Sequence, residues 1–266
     1  MSQDLLLVAD RHTDKWTDAG FPARPLRSGD DVRGAYLRAD RRRPVLWVAR
    51  RACQLRPLAE EGRSLRPNHR LLLLSEVEGP ARDLLHLLFR VVVAPGDGVR
   101  LLPPDELQEV LAAPNRGDYF IGGQVEPCTE TVILYRGNLE PVVVPFSWFD
   151  RRAPVPPPDF HDFEVTDYGL TVRLGTYEAA TDAVLYMFDA DYRRRAKERQ
   201  LEQDDSFGAC LRRLRLMKEV SRDDFPGVSE KQIARIERGE IERPHRKTLR
   251  LIAERLGVEP GDISTY

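Results

Sequence analysis

Four short apolar runs, LLLVA (5–9), PVLWVA (44–49), LLLLS (71–75) and VVVA (91–94), constrain this chain more than any other feature. Each is continuous rather than alternating, so each would be buried on both faces, as strands of a parallel sheet are. Between them lie amphipathic, helix-like stretches near residues 13–19, 30–39, 54–62, 79–89 and 104–112. Ala23–Leu26 adds a strand that Pro22 and Pro25 confine to an edge. The first 115 residues are therefore expected to form five β–α units around a doubly wound parallel sheet.

The pattern changes after that. TVILYRGNLEPVVVPFSWF reads as two strands around Arg136-Gly137-Asn138, and FEVTDYGLTVRLG as two more around Asp167-Tyr168-Gly169. Between the pairs, APVPPPD (153–159) carries four prolines and excludes regular structure. A small antiparallel β domain is expected over 116–187. The stretch 176–203 reads as helix for much of its length; its later part, YRRRAKERQLEQ, is polar all round and is expected to be a solvated connecting helix over 188–205.

The final section, 206–266, has the periodicity of a helical bundle. Ser206 can cap a helix whose stripe is Phe207, Leu211, Leu214 and Met217. Ser221 to Asp224 begins a very short second helix around Phe225, stopped by Pro226-Gly227. Ser229 and Gln232 form an S-x-x-Q capping box for EKQIARIER, which Gly239 closes. KTLRLIAERL follows, with Leu249, Ile252, Ala253 and Leu256 inward and Gly257 as its stop, and Ile263 plugs the end.

Charge separates this end from the rest. The stretch 192–256 holds 18 Lys plus Arg against 12 Asp plus Glu, a surplus of six, although the whole chain carries −2. A basic terminal module on an acidic body suits a protein one end of which meets phosphates. Other classes have less support. No apolar run is long enough to span a bilayer, and MSQDLLLVAD lacks the positive flank of a signal peptide, so a cytoplasmic protein without membrane contact is expected. Cys53, Cys128 and Cys210 are odd in number and far apart, as are His12, His69, His86, His161 and His245, so neither a disulfide framework nor a metal site is expected. Gly96-Asp97-Gly98 lacks the remaining residues of a phosphate-binding loop, and no cofactor is expected.

The run VSEKQIARIERGE, in its order of helices, resembles the lambda-repressor and Cro type (XRE-like) of helix-turn-helix transcriptional regulators. The resemblance covers about 58 residues and implies a double-stranded DNA operator, with EKQIARIER as recognition helix. It implies that Glu230, Lys231, Gln232 and Arg235 face the bases. Arg222, Ser229, Arg238, Arg243, His245, Arg246 and Lys247 are then placed for phosphates. VSRDDFPGVS is about three residues shorter than the family's usual spacing. The first 113 residues resemble, in pattern, a response-regulator receiver domain. Asp10 could stand for one of its acids and Ser75 for its hydroxyl. Ala49-Arg50 stands where the phosphorylated aspartate belongs, and Ala94-Pro95 where the lysine does. A pseudo-receiver without phosphoryl transfer is expected, serving a homodimer contact or binding a protein partner or small ligand; an unrelated α/β domain with a ligand crevice is the alternative. The middle section loosely resembles β domains beside bacterial helix-turn-helix modules.

The function expected is a dimeric, sequence-specific transcriptional regulator and not an enzyme. An autoregulating antitoxin is the alternative. A nucleic-acid enzyme would have to use Asp118, Glu126, Glu130, Asp159, His161 or Asp162, whose spacing matches no metal-nuclease motif.

Overall fold

The structure is a computed structural model that describes residues 4–8, 21–38, 44–59, 66–150 and 156–265. Asp10, His12, the expected helix near 13–19 and the first part of the proline connector lie outside the described residues. The chain forms two compact units, Met1–Tyr192 and Arg193–Tyr266.

The apolar runs become strands β1 (Asp4–Val8), β3 (Val45–Ala49), β4 (Arg66–Leu73) and β5 (Phe89–Val93), with β2 (Arg24–Leu26) at the edge. All pairings are parallel and the order is β2-β1-β3-β4-β5, one of the common orders of doubly wound sheets. Every residue of β3 is buried, which explains why its sequence does not alternate. Alternate residues nevertheless meet different neighbours. Trp47, Ala49, Leu71 and Leu73 join one core with residues of helices α1 (Gly29–Arg38), α2 (Arg56–Ala59) and α3 (Pro80–Leu88). Within it the Tyr36 hydroxyl donates to the Leu88 carbonyl at 2.7 Å, and the buried His69 ring meets Tyr36 edge-on at 4.9 Å.

On the opposite face Leu46, Val48 and Leu72 are equally buried. Arg70 on this face donates to the Asn138 carbonyl at 2.7 Å and to Glu140 at 2.8 Å. Those acceptors belong to the second section. There β6 (Arg100–Leu101), β7 (Phe120–Glu126), β8 (Thr131–Arg136) and β9 (Pro141–Pro145) make an antiparallel sheet. Strands β10 (Phe163–Thr166), β11 (Thr171–Leu174) and β12 (Tyr177–Ala180) make another. Both expected hairpins form; β6, β7 and β12 were not legible as strands. The seam expected at residue 115 falls inside this unit. β6 pairs with β7, and helix α4 (Pro104–Ala112), expected to complete the first domain, packs on the 167–169 turn instead. There Glu106 accepts the Tyr168 N–H at 2.9 Å, while Asp167, Tyr168 and Gly169 are all left-handed. At Gly169 a Cβ would stand 2.2 Å from the Phe120 carbonyl oxygen, so only glycine fits.

Helix α5 (Phe146–Phe149) follows β9, and the helix expected over 176–203 is broken in two. After β12 come α6 (Thr181–Phe188) and α7 (Ala190–Gln203), separated at Asp189, whose carboxylate caps α7 through the N–H groups of Asp191 and Tyr192. Asp189 also holds Arg136 at 2.5 Å, and Arg136, only 6% exposed, reaches Asp118, Glu140 and the Gly117 carbonyl. Burial pushes the Asp189 and Glu140 carboxyls up. The hydrogen bonds and charges around them, from the Tyr192 N–H and Arg136 for Asp189 and chiefly from Arg70 for Glu140, hold both below the usual carboxylate range.

The second unit contains, after α7, helices α8 (Phe207–Met217), α9 (Glu230–Glu237) and α10 (Arg246–Leu256). Its core is Leu211, Leu214, Val220, Phe225, Val228, Ile233, Ile236, Ile252, Ala253, Leu256 and Ile263. Two expectations fail here. Met217 is 60% exposed, because it lies in the last turn at the edge of the α8 stripe, about 80° around the axis from Phe207. The short second helix around Phe225 does not form; residues 220–229 make successive turns. Pro226 disfavours helical backbone at Phe225 and offers no N–H, and Gly227 turns left-handed. Phe225 and Val228 still enter the core.

Among the described residues no helix is long and apolar enough to cross a membrane.

Candidate nucleic-acid interface

Helix α9 is positioned at both ends and along one side. Ser229 Oγ accepts the Gln232 N–H at 3.3 Å; only this serine half of the expected capping box forms. At the other end Gly239, at φ +75°, donates to the Ile236 carbonyl, and Glu240 donates to the Arg235 carbonyl. These two bonds make the left-handed closure known as a Schellman motif. Along its side, Ile233 and Ile236 are fully buried. Gly208 of α8 lies so near that a Cβ there would sit 2.3 Å from the Ile236 carbonyl oxygen.

A buried ion pair fastens the same end. Arg215 Nε meets Glu237 Oε1 at 2.5 Å and its second terminal nitrogen meets Oε2 at 3.3 Å, while its first donates to the Val220 carbonyl at 2.9 Å. The Glu237 side chain is 1% exposed. Arg222 Nε adds a bond to Glu237 Oε2 at 2.8 Å. Arg222, expected at a phosphate, is thus tied to a structural carboxylate, and the pair of Arg215 with Glu237 had no local sequence signal.

With the apolar side of α9 committed, the opposite side is charged. Lys231, Arg235 and Arg238, at i, i+4 and i+7, share one exposed stripe. Glu230 is exposed beside them, and Gln232 is half-buried. Arg235 and Arg238 are not bare: Arg235 Nε meets Glu240 Oε2 at 3.1 Å, and Arg238 Nε meets Oε1 at 2.7 Å. Hydrogen bonds from Arg238 and then Arg235 hold the Glu240 carboxyl below its ordinary range. Glu240 was not foreseen, although an acid directly after a helix-closing glycine marks the position.

Beyond α9, Arg243, Arg246 and Lys247 are exposed, and none forms an ion pair among the described residues. His245 caps α10, its Nδ1 accepting the Lys247 N–H at 3.3 Å. Ser229 serves as a cap in the same way. The middle-section acids go elsewhere: Asp118 pairs with Arg136, Glu126 accepts the Cys128 N–H, and Asp159 accepts the His161 N–H. Asp162 stands 4.0 Å from Arg100.

Compared with protein-family models, with curated proteins and with solved structures, the chain has no match.

Proposed function

We propose that the second unit is a helix-turn-helix DNA-binding module and that the protein is a dimeric, cytoplasmic, sequence-specific transcriptional regulator of the lambda-repressor and Cro type. The observation that carries this reading is the stripe of Lys231, Arg235 and Arg238 on a short helix capped at both ends and locked by a buried ion pair. Cations on a rigid, exposed helix are the means by which a protein enters the major groove. Lys231 and Arg235 are the guanine readers in this proposal, with Glu230 and Gln232 at the margin. Arg238, Arg243, Arg246 and Lys247 hold phosphates, which set orientation rather than sequence. Arg222 moves from this set to the support of the helix.

For the first unit, the strand order β2-β1-β3-β4-β5 supports a receiver-like domain. The sequence after β3 and β5 argues against phosphoryl transfer: exposed Arg50 follows β3, and Ala94-Pro95 follows β5. The proposed role is homodimer contact or reception of a partner or ligand.

Selection of bound duplexes from a random library with the full chain tests the reading. An enriched, two-fold symmetric site with half-sites about 34–36 Å apart is expected. Lys231→Ala and Arg235→Ala should each cost about 1–3 kcal/mol of discrimination at one base pair. If no sequence is enriched and a random duplex of about 30 base pairs is not retained at low salt, the reading is wrong.

A further inference from the structure

Glu237 and Glu240 stand three residues apart at the end of α9 and have opposite environments. Glu237 is enclosed and fixed by Arg215 and Arg222. Glu240 is 45% exposed and belongs to no core; its partners Arg235 and Arg238 are 49% and 57% exposed. Its placement is dictated by the helix closure. Gly239 reverses the backbone, and the bond from the Glu240 N–H to the Arg235 carbonyl at 3.0 Å lays the residue back along the last turn. From there one carboxylate divides its two oxygens between two guanidiniums. In each arginine the occupied donor is Nε, one of the group's five N–H donors, and it lies on a side that otherwise forks a phosphate or carboxylate.

We propose that Glu240 is an intramolecular competitor for the DNA backbone, whose pairing with Arg235 and Arg238 suppresses non-specific duplex binding. This rests on the DNA-binding reading above. Two cations and one anion leave the stripe's end with one net positive charge instead of two, and a phosphate that would fork the Nε side of either arginine must displace a carboxylate already seated. Exposed ion pairs are weak and salt-screened, so the exchange is reversible. A duplex that offers base contacts to Lys231 and Arg235 can displace the carboxylate, whereas one that offers phosphates alone gains little by doing so.

The test is fluorescence anisotropy of the full chain with a random duplex of about 30 base pairs, titrated between about 50 and 200 mM salt. Glu240→Gln should tighten binding about threefold to tenfold at the lowest salt and steepen the log–log salt slope by about 0.9, one phosphate's worth. Glu254→Gln is the control, since Glu254 is an exposed acid of α10 outside any ion pair among the described residues. It makes the same change in net charge and should act by less than about twofold. In a chain already carrying Arg235→Ala and Arg238→Ala, Glu240→Gln should have no more effect than the control. Equal effects of the two glutamine variants, a weaker duplex affinity for Glu240→Gln, or persistence of its gain without the two arginines would each overturn the competitor role while leaving DNA binding intact. Failure of the unaltered chain and of every variant to retain the duplex at about 50 mM salt would instead overturn the DNA-binding reading, and this role with it.

Discussion

Replacing Glu237 with glutamine removes one charge but almost no volume from the interior of the second unit. The side chain is 1% exposed and faces an arginine side chain that is 9% exposed, so Arg215 would be left charged and largely cut off from water. Breaking a buried ion pair from one side costs roughly 3–5 kcal/mol. The bond from Arg222, whose side chain is 39% exposed, adds no more than about 1 kcal/mol. A unit of this size has a total stability of about 4–11 kcal/mol, so the substitution consumes roughly a quarter of it or more. The assay is amide hydrogen exchange on the full chain, read on peptides from Glu230–Glu237. The opening constant there should rise at least 100-fold, since each 1.36 kcal/mol is about a factor of ten. The double variant Arg215→Met with Glu237→Leu removes both charges and refills the space. It should recover most of the protection, because a buried pair is often no better than well-packed apolar groups of similar volume. Protection within about threefold of the unaltered chain for Glu237→Gln would overturn the stranded-charge cost. So would a double variant as labile as the single one, since the loss could then not be assigned to a stranded charge.

Two further outcomes follow from the geometry. Gly208→Ala should destabilise the second unit by about 1–3 kcal/mol in denaturant titrations, although alanine is intrinsically the better helix former by about 1 kcal/mol; a stabilised protein would show that α8 and α9 are not in contact there. For the first unit the sign is set by Asp189 and Glu140, both held below their ordinary range in the folded state. A depressed carboxyl contributes stability above its unfolded pKa, near 4, and loses it as pH falls through the lower folded value. Thermal unfolding followed from pH 6 to pH 3 should therefore show a decline below about pH 4 that is shallower in Asp189→Asn; parallel curves would remove Asp189 from the account.

Local chemistry made several of these elements legible. Ser206, Ser229, Gly239 and Gly257 mark helix ends because the groups they satisfy lie within a few residues of them. The hairpins of β8 with β9 and β10 with β11 were legible for the same reason, since the turn and both strands are contiguous. Where pattern misled, a neighbouring residue overrode it. Met217 continues the α8 spacing but falls at the end of the helix, and Phe225 has a core residue's character without helical backbone, because Pro226 follows it. Of the candidate site, Lys231, Arg235 and Arg238 do share a stripe, as a helical period requires. Gln232 is half-buried, and Arg222 is diverted to Glu237.

Local pattern alone is enough for a parallel sheet of continuous apolar strands, two of the antiparallel hairpins, and a capped, basic helical module in the last part of the chain. Each of these follows from side-chain period, turn residues or caps, which act over a few positions. Which charges are structural and which are presented is settled by packing in three dimensions. Arg136 meets Asp189 across 53 positions and Arg215 meets Glu237 across 22, and nothing local in the chain announces either pair. The same holds for the attachment of α4 to the 167–169 turn, 62 positions on at its Glu106 bond. An ion pair is specified by distance in space, and its worth by exclusion of water. Both exist only once the chain has packed.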